Sequence, residues 1–220
     1  MAKIESVDGA VLAQVDAAHK ALHITPRPMQ ASGYYRFSSV TGLVTAVAAN
    51  GELFQMRWAS ATHLALLEYL SVRAVVTTAF TAAQEIMVNA ALATGWTANG
   101  SGGTGIVPSA ANLMKRTSMP QSQVTDLRIA TTAALGAGTK AIFGSNFCDV
   151  NGFATGQGAV LFDRQVDFTN GGAEHPMVLQ QNEGLIVRNG AVAMGAAGVV
   201  RFSIEAAWLE LPLAEFPNFA

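Results

Sequence analysis

Along much of this chain apolar and polar residues alternate with a period of two, the spacing at which side chains share one face of a β-strand. Over residues 53–58, Phe54, Met56 and Trp58 fall on one face and Gln55 and Arg57 on the other. Val200, Phe202, Ile204 and Ala206 alternate in the same way with Arg201, Ser203 and Glu205, the pattern of a half-buried antiparallel strand. Apolar runs punctuated by Gly, Asn, Ser and Thr predict further strands at 34–37, 63–76, 126–130, 178–179, 184–188 and 199–209. Residues 80–93 mix signals: Ala, Gln, Glu, Met and Leu favour helix, while Thr77, Thr78 and the flanking pattern permit strand. Read as a strand, the segment places Glu85, Met87 and Asn89 on one side and Ile86 and Val88 on the other. No strand is assigned between 131 and 177. The glycine-rich stretch 96–109 is expected to be an exposed loop, mobile or ordered by a partner, followed by one helical turn at 110–115.

With no alternation of strands and helices and no internal repeat, these elements predict an all-β chain, an antiparallel β-sandwich of jelly-roll type. The sandwich is expected over 34–220, preceded by an extended N-terminal arm at 1–33. Pro26 and Pro28 remove backbone donors and hold the arm extended, with a short strand expected at 21–25. Such an arm is suited to crossing onto a neighbouring copy; the plainer reading is a strand that completes its own sheet. The residues expected to make protein contacts are Arg27, Pro28 and Tyr34 around the arm and Trp96 in the glycine-rich loop.

Composition sharpens this picture. Half of the 220 residues are hydrophobic and only 13% are charged, against a usual charged fraction of about 25%. A surface so poor in charge is expected to be covered by copies of the same chain or by a larger assembly. The formal net charge of −2 and the scattered Lys and Arg supply no basic stripe, so direct nucleic-acid binding is not expected. Cys148 is the only cysteine, which excludes an intrachain disulfide and fits assembly in a reducing cytoplasm. Neither a secretory signal nor an apolar run long enough for a membrane helix is present, so a soluble protein is expected.

Candidate chemistry adds little. His19 and His23 would share a face only in a helix, which Pro26 opposes, and His175 precedes Pro176 in what reads as a turn entering a strand. Cys148 lacks a neighbouring group that would activate a thiol. Glu68, Glu85, Asp163 and Asp167 form no local acid pair. The run Gly100–Gly105 resembles a phosphate loop, but no Lys-Ser or Lys-Thr follows it. No catalytic residue, cofactor or metal site is therefore expected, and the chain reads as a non-enzyme.

Several stretches resemble a group of tailed-phage and prophage structural proteins. They are Lys115 to Pro120, Asp126 to Leu135 with Gly138-Thr139-Lys140, Glu174 to Leu179, and Asn182 to Arg188; upstream, Gly33 to Arg36, Leu53 to Trp58 and the lead-in Val15 to Leu22 with Arg27-Pro28 are similar to the same group. The resemblance implies a virion structural protein, a head decoration or cement protein on the capsid surface, assembled in the host cytoplasm. The partners it implies are the major capsid protein or other virion proteins, and further copies of the chain, with a trimer as the stoichiometry by analogy. The alternative is a tail, fibre or appendage protein whose 96–109 loop binds a receptor or glycan.

Overall fold

The structure, a computed structural model, describes residues 33–107, 113, 120–154, 160–168 and 177–213. The arm with Arg27, Pro28, His19, His23 and the expected 21–25 strand lies outside the described residues, as do His175 and, apart from Leu113, the expected helical turn.

The described chain is built from strands, and the alternation read from the sequence is the reason. They are β1 (Gly33–Val40), β2 (Glu52–Trp58), β3 (His63–Thr78), β4 (Gln84–Ala98), β5 (Thr104–Gly105), β6 (Asp126–Ile129), β7 (Thr139–Ala154), β8 (Val160–Asp167), β9 (Val178–Leu179), β10 (Glu183–Asn189) and β11 (Val199–Pro212). One sheet runs β1-β11-β3-β8, with β9 also on β3; the other runs β5-β6-β2-β10-β4-β7. Every pairing is antiparallel.

Setting aside the short β5, β6 and β9, the remaining strands pair as a nested long hairpin: β1 with β11, β2 with β10, β3 with β8, and β4 with β7. Rolling that hairpin up adds the cross-pairs β11 to β3 and β10 to β4. This order is a jelly roll, so the expected β-sandwich is present and its connectivity is resolved. Residues 80–93 lie largely in β4, with Ile86, Val88 and Ala90 in the core as the strand reading required.

The core lies between the sheets. Phe37, Val72, Phe162 and Phe202 of one sheet meet Phe54, Met56, Trp58, Val88 and Leu185 of the other, and the Phe37 and Phe54 rings lie 5.2 Å apart across the gap. Trp208 on β11 stacks on Tyr35 of β1 at 5.9 Å. Beside this pair sits a buried carboxylate, Glu210, which accepts from Trp208 Nε1 (2.9 Å), Ser122 Oγ (2.5 Å) and the Gln123 amide (2.8 Å). Tyr35 donates its hydroxyl to the Pro120 carbonyl at 2.8 Å. Together these bonds pin residues 120–123 to β1 and β11 before the chain enters β6.

The sequence reading missed β7 and β8. Val160–Asp167 is mostly exposed and carries Asp163, Arg164 and Asp167, so its apolar positions are too few to mark a strand. In β7 the period is broken where Ala90 pairs with Cys148 but Leu92 pairs with Phe143, leaving extra residues in the strand.

The buried pair gives a pH signature. Burial, reinforced by the nearby Glu210 carboxylate, raises the Tyr35 phenol from 10.0 to about 12. A raised folded-state value means the stability from neutral Tyr35 is complete below pH 10.0 and is lost as pH rises through about 12. Burial also raises Glu210 above its ordinary 4.5, so its contribution is complete below that value and fades as pH rises through the raised one. In a spectroscopic alkaline titration, Tyr35→Phe is expected to remove the latest tyrosinate step and move alkaline unfolding to higher pH. At neutral pH the lost bond to Pro120 should cost about 1 kcal/mol.

Candidate interaction surface

A jelly roll gathers its connections at two ends, and here the ends differ in chemistry. At one end lie the β1–β2 connection (41–51), the β3–β4 connection (79–83), the turn after β6 (131–134) and the β10–β11 connection (190–198), beside the end of β7 and the start of β8. Across 37–51, 74–84, 129–139, 150–162 and 189–200 the sequence has no Asp, Glu, Lys, Arg or His. The end exposes Leu43 (48%), Val192 (67%), Phe153 (70%) and Val160 (51%), set among exposed alanines such as Ala48, Ala82 and Ala196. Charge returns at its rim, with Glu85, Arg73, Asp163 and Arg201 on the strands behind.

These loops are held in one arrangement. Asn189 is 1% exposed, and its side-chain amide donates to Ala48 O (3.1 Å) and Val192 O (2.9 Å), with a longer contact to Val47 O. Backbone bonds run from Asn50 N to Gly190 O and from Met194 N to Val47 O. Gln84 ties β4 to the same loop, donating to Ala193 O and accepting from Gly195 N. Thr45 Oγ1 donates to Gly198 O at 2.9 Å. Gly198 is required where the loop crosses Phe80, because a Cβ there would stand 2.3 Å from the ring. Ala46 has φ of 50°, a left-handed conformation that costs an alanine about 1–2 kcal/mol. A surface ordered in advance loses little loop entropy when a partner docks.

Of the residues expected to make contacts, Arg27 and Pro28 lie outside the described residues, and Tyr34 and Trp96 do not line this end. Tyr34 is half-buried and pairs with Leu209 inside the β1–β11 ladder, so it is part of the sheet. Trp96 corrects the open-loop expectation: it belongs to β4 and is 0% exposed. Its ring lies over Gly184, where a Cβ would stand 2.5 Å from it, and with Ala91, Ala93, Ile186 and Ile142 it makes a second small core on the outer face of the six-stranded sheet. The glycine-rich run that follows is partly paired, as β5 on β6 and through a Ser101–Gly136 bridge. The small residues at 91, 93 and 184 were the available signal, because they leave a slot for an indole. A glycan-binding aromatic in this loop is therefore not offered to solvent.

Nothing in the described residues assembles a catalytic constellation around the groups weighed earlier. Cys148 is half-buried, and its thiol is pushed up chiefly by burial, with Arg164 opposing and Asp149 adding to the shift. Burial likewise raises the Glu68 carboxyl. Among the described residues no group of three or more His, Cys, Asp or Glu is placed to hold a metal. No protein-family model, curated protein or solved structure matches the chain.

Two substitutions test these packing arguments. Asn189→Ala leaves loop carbonyls without a donor and is expected to cost about 1–3 kcal/mol, read as a lower urea midpoint with faster amide exchange at Asn50 and Met194. Gly184→Ala forces Trp96 off the sheet; an overpacking loss of about 1–3 kcal/mol and a red shift in tryptophan emission are expected.

Proposed function

We propose that this protein is a non-enzymatic structural component of a tailed-phage virion, a head decoration or cement protein that seats its uncharged loop end on the capsid shell. The observation that carries this reading is the convergence of uncharged stretches at one pre-ordered end of the sandwich. Exposed apolar side chains gathered on one ordered end and rimmed by charge mark a protein contact. The phage resemblance in the sequence supports the same role, and the jelly roll is compatible with it, although that fold also serves lectins and enzymes and decides nothing alone.

A cement protein repeats a modest contact many times, so small residues that approach closely suit it better than long charged ones. Copies of the chain are expected to associate as well, with a trimer at three-fold capsid positions as the working stoichiometry. Its partners are then the major capsid protein and its own copies, at the outer surface of the particle.

Purified protein added to undecorated capsids should bind saturably and raise the temperature at which the shells open. Leu43→Asp combined with Val192→Asp places two charges in the patch at exposed positions, where stability should change by no more than about 0.5 kcal/mol each. Binding is expected to fall at least tenfold with an unchanged melting curve. Absence of binding by the unaltered protein, or equal binding by the doubly charged variant, overturns the reading; label found only on tails assigns the chain to an appendage.

A further inference from the structure

The outer face of the six-stranded sheet holds a buried cluster that the proposed role does not use. Glu52 and Gln55 on β2 meet Lys140 at the start of β7. Lys140 Nζ lies 2.9 Å from Glu52 Oε2, with side-chain exposures of 3% and 8%. Gln55, 0% exposed, donates from Nε2 to the same Oε2 at 2.5 Å and to Gly136 O at 3.0 Å. The ammonium also reaches Ala137 O and lies 4.1 Å from the centre of the Trp96 ring. Two atoms of the cluster have no partner: Gln55 Oε1, an acceptor, and Trp96 Nε1, a donor. Glycines close it against water, since a Cβ at Gly100 would stand 1.8 Å from Gln55 Oε1, and one at Gly138 would stand 3.2 Å from Trp96 Nε1.

We propose that Lys140 and Gln55 become joined by an amide bond within the folded chain, with Glu52 carrying the protons. One carboxylate oxygen touches both the amine and the carboxamide nitrogen, which is the position a proton shuttle needs. Folding holds both reactants against one carboxylate oxygen, replacing a second-order encounter with a first-order one, and their burial limits access of water to the intermediate.

The step balances without an oxidant or reductant. Glu52 takes a proton from the Lys140 ammonium, and the freed amine attacks Gln55 Cδ, forming the Nζ–Cδ bond. Negative charge gathers on Oε1, and the unpaired Trp96 indole N–H is a donor in the same cluster. A second proton passes from Nζ through Glu52 to Nε2, and the Cδ–Nε2 bond breaks with its electron pair on nitrogen. Nε2 leaves as ammonia and takes up the proton still on Glu52, departing as ammonium and restoring the carboxylate. The product ties β2 to the start of β7, closing a long loop of chain covalently.

Mass spectrometry of the full, denatured chain decides the matter. The expected mass is that of the sequence less one ammonia, and a proteolytic digest should yield one linked species carrying both residue 55 and residue 140. Glu52→Gln and Lys140→Arg are each expected to show the full mass and no linked species. A full-mass folded wild-type protein overturns the proposal and leaves an ion pair only. So does an ammonia loss mapped elsewhere in the chain. The wild-type measurement stands even where a variant fails to fold.

Discussion

The fold depends on burying two apolar sheet faces against each other, and the nested hairpin pairing is the arrangement that does so with antiparallel ladders throughout. Phe54, Met56 and Trp58 on β2 and Phe202, Ile204 and Trp208 on β11 are all buried, and these strands are central in their sheets. Removing a buried Phe or Trp of this kind costs about 3–5 kcal/mol, a large part of a domain's net stability. The core therefore tolerates ionisable groups only where they are fully bonded. Glu210 meets that condition with its hydroxyl, indole and amide donors, and charge-assisted bonds of about 1.5–3 kcal/mol each offset part of its desolvation, burial still raising the carboxyl.

Once the inner faces are committed, the rest of the surface divides by chemistry. The outer face of the six-stranded sheet folds Trp96 down over small residues and encloses Lys140, Glu52 and Gln55. Ionisable groups on that side are thus drawn inward or paired, as Arg57 is by Trp96 O and Asn99. The loop end keeps no charged residue and leaves Leu43, Val192 and Phe153 exposed. The low charge content of the chain is consequently concentrated in effect, leaving one end bare instead of thinning the whole exterior evenly.

Strands with a clean period of two were legible because each has one buried face: β2, β10 and β11 were placed within one to three residues of their ends. What escaped was where burial fails to alternate. β8 lies at an edge and faces solvent at most positions, so its pattern is weak, and β7 carries a break that shifts its register near Gly144. Trp96 was misplaced for a different reason. The glycines after it read as mobility, whereas Gly100, Gly103 and Gly138 serve close approaches of backbone to neighbouring atoms. The uncharged runs were visible in the sequence one by one, but their convergence at one end is a property of jelly-roll connectivity and needed the topology.

The same topology also determines where strand edges are left free. A sandwich has free strand edges, and an edge without protection pairs with any other strand. Here β8 carries Asp163, Arg164 and Asp167 at exposed positions, and β1 carries Arg36. β7 is interrupted by its register break, and β5 is two residues long. Each edge thus has a charge, an irregularity or too little length for open-ended strand addition. At the apolar end, loop backbone groups among the described residues bond one another, as Asn50 N does with Gly190 O and Met194 N with Val47 O. In the proposed role, contact through that end rests on shape and apolar packing between ordered loops, which favours a closed, specific interface over an extending sheet.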